Sequence, residues 1–114
     1  MLFRSAHLIA AGAVDCLQLD ATRCGGFTEF LRGAALAAAH NLQVSAHCAP
    51  SLHARVGVAV PNLRHVEYFH DHQRIERMLF DGALGPDGGT LTPTSEPGLG
   101  MVLREADAAK YRQG

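Results

Sequence analysis

Between Ser5 and Phe69 the apolar positions switch repeatedly between short continuous runs and helical spacing. Short apolar runs bounded by turn residues mark buried strands, whereas recurrence every three to four residues marks a helix with one apolar face. Ser5 to Ala11 fits a short helix stopped by Gly12, and Val14-Asp15-Cys16-Leu17-Gln18-Leu19-Asp20 fits a strand. Gly25-Gly26 then reads as a tight turn. Phe27 to His40 is rich in Ala and Leu, with Phe27, Leu31, Ala34 and Ala38 at helical spacing and Asn41 as its stop. Gln43-Val44-Ser45-Ala46-His47 fits a second strand. Pro50 and Ser51 open a helix reaching about Val60, since proline is tolerated in a first turn. Pro61-Asn62 breaks it, and Arg64 to Phe69 fits a third strand.

Strand, helix, strand, helix, strand at these lengths predicts βαβ units and a parallel sheet. Three such strands leave both sheet edges open, so the pattern predicts a piece of a larger sheet. Beyond Phe69 the character changes. His70 to Phe80 is polar, with a helical turn expected only at Ile75 to Leu79. Gly and Pro dominate Gly82 to Gly100, which predicts a long loop with no core of its own. Arg104 to Tyr111 fits a last short helix. The expected organisation is a β/α segment over 1–81 and a C-terminal tail over 82–114. Neither an internal repeat nor a low-complexity tract is present.

Composition adds exclusions. The chain has 114 residues and a formal net charge of -1, so it lacks the basic field that nucleic acid would need. Arg4 and His7 interrupt a mildly apolar start, which argues against a signal peptide. No apolar run is long enough to predict a membrane span. Cys16, Cys24 and Cys48 are odd in number and lack CxxC spacing, so neither a disulfide framework nor a zinc knuckle is expected, and a reducing cytoplasm fits. Seven histidines are many for this length and are the first hint of chemistry.

Three residues fall at corresponding places. Asp20 ends the first strand, His47 ends the second, and Glu67 lies near the end of the third, at spacings of one strand–helix unit each. In a parallel barrel the C-terminal strand ends open onto one face, where active sites sit. A histidine there is a natural general base. A neighbouring carboxylate would orient its ring, and a second carboxyl could donate a hydrogen bond to a developing oxyanion. Each residue also admits a plainer reading. A histidine at a strand end can be a surface residue, and an aspartate after a strand can be a turn or cap residue. A glutamate inside an apolar strand needs a partner either way.

The segments Gln18-x-Asp20 with Gly25-Gly26 following, Ser45-Ala46-His47 and His65-Val66-Glu67-Tyr68 resemble the enolase superfamily, in its mandelate racemase/muconate lactonizing group. The resemblance runs from about Gly12 to Phe69, and Pro97-Gly98-Leu99-Gly100 looks like the family's tail. It implies an α/β fold: part of a TIM-type (β/α) barrel, about strands six to eight with their helices and a C-terminal tail. It also implies a Mg²⁺-dependent lyase or isomerase, an acid-sugar dehydratase or hydroxy-acid racemase, that removes the proton α to a carboxylate through an enediolate bound to Mg²⁺. By the same resemblance His47 is the base, Asp20 its partner, and Glu67 the residue that hydrogen-bonds the substrate carboxylate. The lysine-based branches carry a lysine after the sixth strand, whereas the one lysine here is Lys110, so the His–Asp branch is indicated. The family's three acidic Mg²⁺ ligands fall on strands that would precede residue 1, so Mg²⁺ is not expected to bind this chain alone. The full-length relatives are expected to be homo-oligomers. The resemblance thus implies a C-terminal piece that is inactive in isolation, with a non-catalytic remnant or binding module as the alternative.

Other features carry less. Arg23 is a candidate contact for an acidic or polyhydroxy substrate. His70-Asp71-His72 reads as a polar loop rather than a metal clip. His53 is expected on a helix surface and His65 at the start of a strand. Cys48 adjoins His47, but neighbouring strand residues point to opposite faces, which argues against a Cys–His pair. Gly25-Gly26 is a βα turn that could at most contact substrate.

Overall fold

A computed structural model describes residues 2–113 of the chain. Helix α1 (Leu2–Ala10) feeds strand β1 (Cys16–Leu19), a short helix α2 (Ala21–Cys24) and a long helix α3 (Gly26–Ala39). Strand β2 (Gln43–Ala46), helix α4 (Pro50–Gly57) and strand β3 (Leu63–Val66) complete the repeat. The three strands form one parallel sheet in the order β1-β2-β3, so each strand pairs with its successor after a helical crossover. Among the described residues neither outer edge of the sheet pairs with another strand. The expected parallel β/α segment is therefore present.

Its core is apolar side chains of the strands packed against two helix faces. Leu17, Leu19, Val44 and Ala46 from the sheet meet Phe30, Ala34 and Ala37 of α3 and Val56 of α4, all buried. The buried face of α3 is Phe30, Gly33, Ala34 and Ala37, not the Phe27, Leu31, Ala34, Ala38 set expected from spacing. Leu31 is exposed. Small residues explain the rotation: a Cβ built at Gly33 would stand 3.0 Å from a Leu19 methyl, so the helix lies closer to the sheet than larger residues permit.

The polar stretch after β3 is a correction. Residues His70–Leu79 form a full helix, α5, rather than a single turn. Its buried residues are polar: Glu76 accepts hydrogen bonds from the Ser51 hydroxyl at 2.6 Å and the Ser51 amide at 3.3 Å, and Ile75 is left exposed. A buried carboxylate is tolerated because it is hydrogen-bonded. The tail is anchored as well. Strand β4 (Phe80–Asp81) pairs antiparallel with β5 (Val102–Leu103), the Leu84 amide donates to the Ser51 hydroxyl at 2.8 Å, and Arg55 donates to Thr94 and Glu96 carbonyls. Helix α6 (Glu105–Ala108) and a 3₁₀ turn over Ala109–Tyr111 fill the expected last helix. No helix among the described residues is long and apolar enough to cross a membrane.

Candidate active site

The parallel ladder continues one bond past the strands. The His47 amide donates to the Leu19 carbonyl at 2.8 Å, and the Glu67 amide donates to the Ala46 carbonyl at 2.8 Å. Asp20, His47 and Glu67 thus stand just beyond the ends of β1, β2 and β3, on one mouth. Glu67 was expected inside its strand; the strand stops at Val66, which lets the carboxyl reach across to His47.

Asp20 holds two jobs. It caps α2, with Oδ1 accepting from the Thr22 amide at 2.8 Å and the Thr22 hydroxyl at 2.6 Å. Its Oδ2 lies 2.9 Å from His47 Nδ1. The cap reading and the partner reading of Asp20 are therefore both present in the geometry. Arg23 turns back on the same carboxylate, Nε to Oδ2 at 3.3 Å, with a largely exposed side chain. Burial pushes the Asp20 carboxyl up, but hydrogen bonds from the Thr22 hydroxyl, His47 and the Thr22 amide outweigh it, leaving the group below the ordinary carboxylate value.

That depression has a sign. As pH falls, the unfolded chain takes up this proton before the folded chain does. Asp20's contribution to stability is therefore complete above the ordinary value of 3.8 and is lost as pH falls through the depressed folded value. Asp20→Asn, which keeps an acceptor at the cap, should lower the urea midpoint at neutral pH, and the gap to wild type should close on acidification below the ordinary carboxylate range. A gap that does not change with pH would show that the ionised carboxylate contributes nothing beyond its cap.

With Nδ1 donating to Asp20, His47 Nε2 is left as an acceptor. It faces Cys48 Sγ at 3.4 Å and Glu67 Oε2 at 3.8 Å. Cys48 also places its amide 3.3 Å and its sulfur 3.5 Å from Glu67 Oε2. Strand alternation does not separate Cys48 from His47, because the strand ends at Ala46 and neither residue is in it. Cys48 and Ala49 both adopt left-handed backbone, φ 51 and 37; the positive φ at Cys48 accompanies a thiol 3.4 Å from the imidazole. Such conformations cost about 1–3 kcal/mol each and collect at functional sites. Burial, then Glu67, push the Cys48 thiol up, which disfavours a free thiolate nucleophile.

His53 is a second correction. It is fully buried rather than on a helix surface. Its Nε2 accepts from the Ala21 amide at 2.9 Å, and its Nδ1 lies 2.7 Å from the Cys48 carbonyl. Because an amide can only donate, Nε2 is the unprotonated nitrogen and Nδ1 carries the proton. One ring therefore ties the start of α2, which carries Asp20, to the turn that carries His47 and Cys48. The signal was in the spacing: Pro50, His53, Ala54 and Gly57 recur at helical intervals and form the buried face of α4. His70, Asp71 and His72 begin α5 instead of a loop. Residues two apart on a helix do not face each other, so that stretch offers no metal clip. His65 lies within β3 and is exposed. Gly25 and Gly26, φ 102 and 86, form an exposed joint between α2 and α3.

A parallel strand–helix repeat with its polar groups gathered at the C-terminal strand ends is an arrangement used by β/α barrels. The chain belongs to the Enolase C-terminal domain-like family, whose profile spans residues 2–107. It is similar in structure to a mandelate racemase/muconate lactonizing enzyme-like protein from Rubrobacter xylanophilus, 52% identical with a TM-score of 0.83 over 88% of this chain and 28% of that one. L-talarate dehydratase from Polaromonas sp. JS666, complexed with Mg and L-glucarate, is 32% identical with a TM-score of 0.83 over 95% of this chain and 29% of that one. Among curated relatives, L-talarate/galactarate dehydratase from Salmonella typhimurium is 33% identical over 87% of this chain and 24% of its own length. The chain thus spans under a third of each of these proteins.

The donors on this mouth do not fit Mg²⁺. That ion takes about six oxygen ligands in near-octahedral array. Both Asp20 oxygens are already engaged by Thr22, His47 and Arg23. Glu67 is then the one carboxylate left beside His47, and its other neighbour is a thiol.

Proposed function

We propose that these residues are the proton-transfer arm of an acid-sugar dehydratase or hydroxy-acid racemase, acting on the carbon α to a substrate carboxylate. The observation that carries the reading is the His47–Asp20 contact at 2.9 Å, which leaves Nε2 as a base facing the mouth. The substrate class is supported by relatives that are acid-sugar dehydratases, one of them complexed with L-glucarate. His47 Nε2 takes the α proton, and the electron pair of that C–H bond delocalises into the carboxylate. The imidazolium so formed is stabilised by the Asp20 carboxylate. Glu67 shares a proton with the substrate carboxylate and so favours the charge that develops there. In a dehydratase His47 then hands its proton to the departing β-hydroxyl. In a racemase the proton returns to carbon. Arg23, largely exposed beside Asp20, is the proposed contact for substrate hydroxyl or carboxylate groups.

The 114-residue chain alone is expected to show no turnover of acid sugars, with or without Mg²⁺, since among the described residues its mouth lacks an oxygen-rich cation set. The same segment placed in a completed barrel, replacing the matching part of a dehydratase relative, is expected to exchange the substrate's α hydrogen for solvent deuterium. Robust turnover by the chain alone, or a folded chimera that exchanges no α hydrogen, would overturn the reading.

A further inference from the structure

We propose that His47, Cys48 and Glu67 form a binding site for a thiophilic divalent cation, Zn²⁺ by preference, distinct in chemistry from any Mg²⁺ site. The three donor atoms, Nε2, Sγ and a carboxylate oxygen, all lie within 4.8 Å of one another. Their separations are 3.4 Å for nitrogen to sulfur, 3.5 Å for sulfur to oxygen and 3.8 Å for nitrogen to oxygen. Zinc bonds of about 2.0–2.3 Å at tetrahedral angles require donor separations of roughly 3.3–3.6 Å. One cation can therefore reach all three with shifts of a few tenths of an ångström. One imidazole, one thiolate and one carboxylate suit zinc and exclude magnesium.

Two further features favour the site. The Asp20 carboxylate beside Nδ1 fixes the tautomer that points the Nε2 lone pair at the site, the arrangement that supports metal-bound histidines. The left-handed φ at Cys48 breaks strand alternation and accompanies the placing of sulfur and nitrogen of adjacent residues on the same side. Three protein donors leave a fourth position for water or a substrate oxygen. On binding, the Cys48 thiol releases its proton to solvent and the sulfur takes the cation in its place. A bound cation occupies the Nε2 lone pair, so Zn²⁺ would block His47 as a base. The site does not depend on the proton-transfer reading.

Titrating the purified chain with Co²⁺ and recording thiolate-to-cobalt charge-transfer absorption tests this. The expected result is a saturable band at one equivalent, abolished by added Zn²⁺ and indifferent to excess Mg²⁺. Cys48→Ser should abolish the band, Cys16→Ser and Cys24→Ser should keep it, and His47→Asn should weaken binding at least about 100-fold, beyond the usual loss for an outer-shell partner. Absence of saturable Co²⁺ binding, or a band that survives Cys48→Ser, would overturn the proposal. If circular dichroism shows that Cys48→Ser is unfolded, Glu67→Gln decides, because that side chain is partly exposed. A Co²⁺ midpoint at least about tenfold higher supports the site, and an unchanged midpoint overturns it.

Discussion

In a completed barrel carrying this segment, His47→Asn is expected to lower α-hydrogen exchange with solvent by at least about 10²–10⁴-fold, the usual contribution of a positioned general base. Asparagine is the informative replacement. Its amide can still donate toward the Asp20 carboxylate now 2.9 Å from His47 Nδ1, so the mouth keeps its shape, but it cannot take a proton at neutral pH. Mg²⁺ affinity of the completed barrel should hardly change. A parallel loss of exchange and of Mg²⁺ binding would make His47 a ligand or a structural residue instead of a base. The exchange assay, with the product followed by proton NMR, separates the two because it reads the C–H bond directly.

The second large effect is on stability. His53→Ala is expected to cost about 3–5 kcal/mol, the range for truncating a large buried ring. The cost has two sources. The ring packs against Phe30 at 5.5 Å between centroids, and its loss leaves a cavity. It also orphans the Ala21 amide and the Cys48 carbonyl, each a buried polar group. In a domain of this size such a loss should lower Tm by roughly 10 °C or more. A surface histidine, the role expected from sequence, would cost no more than about 0.5 kcal/mol. A urea melt of the two proteins distinguishes these outcomes. Because His53 connects both halves of the mouth, the same substitution should loosen the Asp20–His47 pair, visible as a loss of slow exchange at the His47 ring proton.

Much of this was legible from residue pattern because strands and long helices announce themselves through local spacing. Short apolar runs located β1, β2 and β3, and the alanine-rich stretch located α3. The placement of Asp20, His47 and Glu67 followed from that, since a parallel sheet puts successive strand ends together. What escaped was what tertiary contacts decide. Helix α5 is polar on its buried side because Glu76 has Ser51 to bond, and hydropathy does not show that partner. The facing of α3 was missed because Gly33 and the alanines bury by allowing close approach, not by being strongly apolar. Cys48 was assigned to the wrong side because left-handed backbone at a non-glycine residue has no sequence signature. The burial of His53 is legible only through its helical spacing with Pro50, Ala54 and Gly57, because histidine as a residue type does not mark a core position.

One proton decides the base: Asp20 must hold it on His47 Nδ1 so that Nε2 is free to act. Nitrogen-15 NMR of the purified chain's imidazoles, at a pH where they are neutral, reads that proton directly. The expected result is His47 in the Nδ1–H form with an unprotonated Nε2, and a loss of that preference in Asp20→Ala. A wild-type His47 found as the Nε2–H form, or one indifferent to Asp20→Ala, would contradict it.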